Sequence, residues 1–300
     1  MKERPTVTEV PATMHETHRW DHEEPVTPSA DRYTFELAGV RFSYPDGVLG
    51  VEIDSLGIRR EACTILLGAN GSGKSTLLKM LDALLFPQQG EVRAFGKPLS
   101  EKRLEAEEER RLFRSRVGFV FQDADIQCFS PTVREELAFG PLQQGLADEE
   151  IELRVRSALA SLRLESIANR YPYRLSGGEK KRVAIASVLT IDPDVYLLDE
   201  PTANLDPSTE GILIDLLAGF SESGKTLVIA TQDLLLARHI GDRAVILGPA
   251  RNLAAEGDIA ELLERTELLQ STGLAHSHRH PHKKASSDFR HSHYTEEESR

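Results

Sequence analysis

The segment Gly68-Ala69-Asn70-Gly71-Ser72-Gly73-Lys74-Ser75 constrains the fold of this chain more than any other. Glycines at 68, 71 and 73 let the backbone bend so that successive N–H groups converge on one anion, and a helix starting near Lys74 adds the positive end of its dipole. The apolar run Cys63-Thr64-Ile65-Leu66-Leu67 precedes the loop as a buried strand should, and the stretch Ser75 to Leu85 predicts an apolar helix. Strand, glycine loop and helix in that order make a phosphate-binding α/β unit. In it Lys74 reaches the β- and γ-phosphates of a nucleotide and the Ser75 hydroxyl ligates Mg²⁺. Thr76 completes the expected contact set Gly68, Ala69, Asn70, Gly71, Ser72, Gly73, Lys74 and Ser75.

A second string, Asp194-Val195-Tyr196-Leu197-Leu198-Asp199-Glu200, is nearly continuous in apolar residues and suits a parallel strand buried on both faces. Carboxylates at the carboxyl end of such a strand lie where open α/β sheets place ligands. Asp199 is the expected Mg²⁺ partner through water, because this small cation keeps part of its hydration shell. Glu200 is the expected general base, or the group that orients water, for attack on the γ-phosphate.

A third string, Leu175-Ser176-Gly177-Gly178-Glu179-Lys180-Lys181-Arg182, opens a helix. Ser176 is a good N-cap and Glu179 stands three residues on, so a capping box by itself explains those two residues. In combination with the other strings, however, this segment resembles the signature of the ATP-binding cassette family. The resemblance covers roughly residues 34 to 268. It implies an α/β P-loop NTPase of the ABC ATPase fold, with a RecA-like core, an antiparallel β subdomain and a helical subdomain.

The resemblance also implies residue roles. Tyr44 in Phe42-Ser43-Tyr44-Pro45 occupies the place of the aromatic that stacks on adenine. Gln122 looks like the glutamine that touches Mg²⁺ and reports on a transmembrane partner. Ala203-Asn204-Leu205-Asp206 is similar to the loop that couples two active sites. Ser176, Gly177, Gly178 and Glu179 are assigned to ATP bound by a second subunit, identical or paralogous, so that each ATP lies between one chain's Gly68–Ser75 and the other's Ser176–Glu179. Where the family usually has Thr-His-Asp, this chain has Thr231-Gln232-Asp233. A glutamine can hydrogen-bond a phosphate oxygen or an attacking water but cannot carry a proton. Gln232 is therefore expected as a catalytic residue beside Glu200 in a working ATPase, with a cassette that closes on ATP without hydrolysing it as the competing reading.

The subfamily is legible between those motifs. Gln122-Asp123-Ala124-Asp125-Ile126-Gln127-Cys128-Phe129, followed by Pro131-Thr132-Val133-Arg134-Glu135-Glu136-Leu137-Ala138-Phe139-Gly140-Pro141, resembles the ATPases of energy-coupling-factor importers and the related cobalt and nickel importers. This implies docking to integral membrane subunits, a coupling component and a substrate-binding component, with cobalt or nickel as cargo and a vitamin as the alternative. Only about a hundred residues separate Gly73 from Ser176, without sustained heptads, which disfavours a chromosome-maintenance cassette with its long coiled coil. The chain has room for one cassette, where translation-type proteins carry two.

Composition agrees. With 48 acidic against 36 basic residues the net charge is −12, so wholesale binding of a nucleic-acid backbone is disfavoured. No run of ~20 apolar residues spans a bilayer, and no apolar core of a leader is visible. The expected place is the cytoplasmic face of a membrane, peripherally bound. Cys63 and Cys128 do not make a disulfide framework.

Three regions are expected. Residues 1–33, polar and with four prolines, should be a disordered extension. Residues 34–268 form the ATP-binding domain, with a helical lobe at about 102–172 and a closing helix from Ile259 to Leu269. Residues 269–300 form a disordered tail rich in histidine: His276, His278, His280, His282, His291 and His293, which offers imidazoles to a divalent metal.

Overall fold

A computed structural model describes residues 32–279 and 290–293. The extension expected over 1–33 lies almost wholly outside them, as do His280 and His282. The described residues open with a hairpin, β1 (Tyr33–Ser43) and β2 (Leu49–Arg59), and the chain then enters β3 (Cys63–Leu67), the phosphate loop and α1 (Lys74–Leu81). It returns through β4 (Gln89–Ala94) and β5 (Lys97–Pro98), and these join the first hairpin in a four-stranded antiparallel sheet of order β2-β1-β4-β5.

Two short helices, α2 (Glu101–Leu104) and α3 (Glu107–Arg116), lead into β6 (Val117–Val120). The helical lobe follows as α4 (Val133–Gln144), α5 (Asp148–Ser161) and α6 (Gly177–Leu189). Next come β7 (Val195–Asp199), α7 (Pro207–Glu222), β8 (Thr226–Thr231), α8 (Leu234–Ile240), β9 (Arg243–Leu247), β10 (Leu253–Asp258), α9 (Ile259–Leu263) and α10 (Thr266–Ser271). A two-stranded ribbon, β11 (His276–Arg279) with β12 (Arg290–His293), completes the described chain.

The second sheet has the order β10-β9-β3-β8-β7-β6 and is parallel except for β10. Its central strands read as unbroken apolar runs because both faces are covered. On β7, Val195 and Leu197 face the core that contains α1, while Tyr196 and Leu198 face the core under the helical lobe. β8 repeats the pattern with Val228 and Ala230 against Leu227 and Ile229. Helix α1 thus lies between the two sheets, with Leu77, Leu78 and Leu81 fully buried. Each such side chain stabilises the fold by roughly 1.5–3 kcal/mol.

Three expectations need correcting. The stretch 102–172 is not helical throughout: β6 lies inside it and pairs with β7 in the central sheet, which hands the chain to Gln122 at a strand end. The closing helix from Ile259 to Leu269 is two helices, because the chain breaks at Glu264 and Arg265. The tail is packed as far as Ala275, since Leu269, Leu274 and Ala275 are buried in the main core. Among the described residues no helix is long and apolar enough to cross a membrane.

Candidate functional site

At the carboxyl ends of β3 and β7 a cavity of about 270 Å³ is lined by the phosphate loop, Tyr44, Gln122, Asp199 and Glu200. The loop fits only with glycine at two of its positions. A Cβ on Gly68 would stand 2.3 Å from Ser72 Oγ and 2.9 Å from Leu247 O, and one on Gly73, at φ +103°, would stand 2.7 Å from Gly50 O. Lys74, only 6% exposed, donates from Nζ to Gly68 O at 2.7 Å and lies 3.8 Å from Glu200 Oε1. Burial lowers the Lys74 pKa, opposed by Glu200 and then Asp199.

Asp199 is buried at the last position of β7, where its carboxylate accepts a hydrogen bond from Ser75. Glu200 follows at φ +46°, a left-handed conformation that costs on the order of 1–2 kcal/mol for an L-residue. Strand β8 holds that turn: Glu200 N–H donates to Ala230 O at 2.9 Å, and Thr231 Oγ1 donates to Glu200 Oε2 at 3.2 Å. Burial raises the pKa of both carboxyls, countered at Asp199 by the Ser75 hydrogen bond and at Glu200 by Lys74. A carboxylate with a raised pKa is the better proton acceptor near neutral pH.

The remaining polar groups suit a nucleotide with its cation. Ser72 Oγ is buried with no partner, inside the glycine loop. The Ser75 hydroxyl, the Asp199 carboxylate and the exposed Gln122 amide are hard oxygen donors on one cavity, which fits Mg²⁺ rather than a softer metal. Tyr44 lines the rim, with its hydroxyl 2.8 Å from Thr76 Oγ1.

Ser176, Gly177, Gly178 and Glu179 do not line this cavity. They form the start of α6, where Glu179 Oε2 accepts from Ser176 N–H at 2.8 Å and from Ser176 Oγ at 2.9 Å, closing the capping box. Those hydrogen bonds hold the Glu179 carboxyl below its ordinary pKa. The two glycines have no such internal reason. A Cβ on Gly177 would meet nothing within 4 Å, and one on Gly178 only ordinary contacts at 3.9 Å. Glycine in a helix costs roughly 1 kcal/mol against alanine, so this exposed, glycine-bearing turn is suited to close approach of something outside the subunit.

Gln232 is exposed and does not line the cavity; its neighbour Thr231 is the residue that reaches Glu200. Three further residues carry weight that the sequence did not announce. Arg251, in the turn between β9 and β10, lines the cavity and donates to Leu49 O. The sequence marks Thr231 only as the neighbour of Gln232. It assigns Lys181 no role in the string that opens α6, yet this residue is buried and its Nζ donates to Phe121 O and Gln122 O at 3.0 Å each and to Asp199 O at 3.3 Å.

This arrangement defines a nucleotide-binding cassette, and comparison with known proteins agrees. The ABC transporter family profile matches residues 51–203. Nickel import ATP-binding protein NikO of Rhodobacter capsulatus is 50% identical over 243 residues, 80% of this chain and 95% of that protein. The solved structure of cbiO1 from Clostridium perfringens, described as part of the ABC transporter complex cbiONQ, matches with TM-score 0.67 at 32% identity, covering 81% of this chain and 95% of that one. A dimeric ATP-binding cassette in a post-hydrolysis state with ADP and Pi matches with TM-score 0.68 at 31% identity, over 75% of this chain and 98% of that one. The chain belongs to the ABC transporter family: it is an ATP-binding subunit, an ATPase coupled to transport.

Proposed function

We propose that this chain is the ATPase of an importer that takes up a transition-metal cation, cobalt or nickel, through integral membrane subunits. The observation that carries the two-subunit mechanism is the exposed Ser176–Glu179 turn, whose glycines serve no purpose inside the fold. In this reading Lys74 and the loop N–H groups bind the β- and γ-phosphates, and Tyr44 holds the adenine. A second copy or a paralogue presents its own Ser176, Gly177 and Gly178 to the γ-phosphate. Ser75, Asp199 and Gln122 hold Mg²⁺; bound there, it neutralises charge on the phosphate oxygens. Glu200 accepts the proton of the attacking water, and Thr231 and Lys74 fix its carboxylate for that task.

Closure of two such chains draws the helical lobes together. The lobe offers a groove between α1, α3 and α4 that includes Leu84, Phe121, Phe129 and Phe139; Leu84, Phe129 and Phe139 are exposed, and the two phenylalanines among them stack edge to face at 4.8 Å. Glu136 stiffens the groove's rim by accepting from Phe129 N–H at 2.9 Å and Ser130 N–H at 2.7 Å. This surface is suited to helices of the membrane partner, which seats the chain peripherally at the cytoplasmic face.

The metal cargo is favoured by the 50% identity to the nickel-import protein. Reconstitution of the purified complex in liposomes tests the reading. ATP-driven accumulation of radiolabelled Ni²⁺ or Co²⁺ is expected, and Glu200→Gln should lower both uptake and phosphate release by at least ~100-fold. Uptake of a vitamin without either metal would overturn the cargo, and phosphate release by wild type no faster than by Glu200→Gln would overturn hydrolysis.

A further inference from the structure

The transport mechanism leaves one cation of the nucleotide cavity unused. Lys74 and Arg251 are the basic residues among its lining. Lys74 is matched by carboxylates, with Glu200 Oε1 at 3.8 Å and Asp199 beside Glu200 at the end of β7. Arg251 has no such match, since among the described residues no carboxylate comes within 4 Å of its guanidinium. In a chain with a net charge of −12, an unmatched cation on a cavity wall points to an anion from outside.

The backbone under Arg251 is held firmly. Arg251 N–H donates to Gly248 O and Gly248 N–H to Asn252 O, both at 2.9 Å, and Glu52 N–H on β2 donates to Arg251 O at 2.9 Å. An isolated bridge pairs Glu52 with Asn252 beside it. Arg251 takes φ +62° in this turn, a left-handed conformation that glycine or asparagine adopts with less strain. Such backbone persists where its surroundings over-determine it, and it clusters at ligand sites. The turn alone therefore does not explain an arginine, whereas its side chain does.

Sheet order sets where along the cavity that side chain acts. β9 lies on one side of β3 and its phosphate loop, and β7 lies on the other side beyond β8. The Arg251 turn and Glu200 thus enter three strand spacings apart, about 14 Å. Arg251 Nη1 donates to Leu49 O, Leu49 pairs with Ser43 in the β1–β2 register, and Tyr44 is the next residue on the cavity wall. Arg251 accordingly stands at the Tyr44 end, away from the Glu200 end where the proposed mechanism places the attacking water. Four N–H groups of the guanidinium remain after the bond to Leu49 O, and among the described residues none of them donates to another protein atom. A planar fork of fixed charge matches phosphate oxygens in pairs.

We propose that Arg251 is a nucleotide-binding residue whose guanidinium pairs with the phosphate nearest the adenosine, so that Lys74 and Arg251 hold the polyphosphate from its two ends. The assignment rests on the reading of this cavity as the ATP site. ATP and ADP both carry that phosphate, so both use the contact.

Calorimetric titration of ATP and of ADP, each with Mg²⁺, into the separate full chain tests it. Arg251→Ala should weaken both nucleotides by about 10-fold. Arg251→Gln, which keeps an N–H donor and drops the charge, should weaken them nearly as much. Arg251→Lys, which keeps the charge and drops the fork, should bind both with an affinity between those of Arg251→Gln and wild type. Wild-type affinity in Arg251→Gln would reduce the side chain to a tether for Leu49 and overturn the proposal. Equal loss in Arg251→Gln and Arg251→Lys would put the fault in the turn and not in the charge, and overturn it as well. Weaker ATP binding with ADP untouched would move the contact to the γ-phosphate, against the assignment. Wild type that binds neither nucleotide would overturn the ATP-site reading together with the role of Arg251.

Discussion

The two regions to which the proposed mechanism assigns the phosphates are built in opposite ways. Residues 68–75 with Asp199 and Glu200 are locked into the central sheet: Lys74 and Asp199 are buried, Lys74 and Glu200 are hydrogen-bonded within the subunit, and two glycines are demanded by contacts of 2.3 and 2.7 Å. Residues 176–179 stand at a helix start, satisfied by their own capping box, with open space at Gly177 and only 3.9 Å contacts at Gly178. The first region is organised before any partner arrives. The second has its backbone ready but lines no cavity of its own subunit, so in the proposed mechanism the site becomes complete only by association.

The largest test of that contrast is Gly178→Asp. A carboxylate in the first turn of α6 favours the helix dipole, and the added Cβ meets only 3.9 Å contacts, so melting temperature and ATP binding by the separate chain should stay at the wild-type level. Turnover and MgATP-dependent dimerisation should fall by at least ~100-fold, because a negative charge then faces the γ-phosphate. Equilibrium binding of a fluorescent ATP analogue, sedimentation and phosphate release on one preparation decide it. Parallel loss of ATP binding would mean that residues 176–179 serve their own subunit's nucleotide.

A smaller effect is expected where the two regions are joined. Lys181 lies one turn into α6, yet its ammonium is held by carbonyls of the Gln122 loop and of Asp199. Burial lowers its pKa to about 8, opposed by Asp199 and Glu200. Lys181→Met removes the donor and leaves three inward carbonyls short of a partner, at roughly 1–3 kcal/mol for an unsatisfied buried group. The expected outcome is a melting temperature lower by several degrees and turnover reduced about 10-fold with little change in KM for ATP, since Lys181 ties the Gln122 and Asp199 backbones together and does not line the cavity. Unchanged turnover in a destabilised variant would show that the bonds are structural alone.

These expectations divide along what sequence can carry. The strand, loop and helix from Cys63 through Leu81 were legible because fully buried strands leave continuous apolar runs and the loop's glycines have a steric cause. The Ser176 capping box was equally local. Lys181, Thr231 and Arg251 were not legible, because each acts through partners 18 to 202 residues away and nothing beside it in the chain marks it. The strand β6 was hidden for a similar reason: four apolar residues between charged helices become a strand only because β7 is there to pair with. Gln232 was read from a resemblance, whereas the contact with Glu200 comes from its neighbour. The end of α1 was misjudged too. The apolar residues run on to Leu85, but the helix stops after Leu81 and Asp82 is buried at its carboxyl end.

That last residue gives the mildest test, aimed at the rigidity of the preorganised region, since α1 begins at Lys74 and ends at Asp82. Asp82 Oδ2 accepts from Arg114 Nη1 at 2.7 Å, while Oδ1 is buried without a partner. Burial pushes the carboxyl up to about 6, more than Arg114 pulls it down. The negative end of the α1 dipole acts in the same direction. In the unfolded chain this group titrates near 3.8. Between the two values the native state holds the extra proton, so its stabilising contribution is full below 3.8 and is lost as pH rises through 6. Asp82→Asn removes the titration at nearly constant shape. Against that variant, wild type should gain about 2–3 kcal/mol of stability as pH falls from 7.5 to 4. Melting curves of both proteins across that range measure the gap. A gap that does not change with pH would mean that Asp82 stays ionised against Arg114 throughout, and that α1 is anchored at both ends by charge.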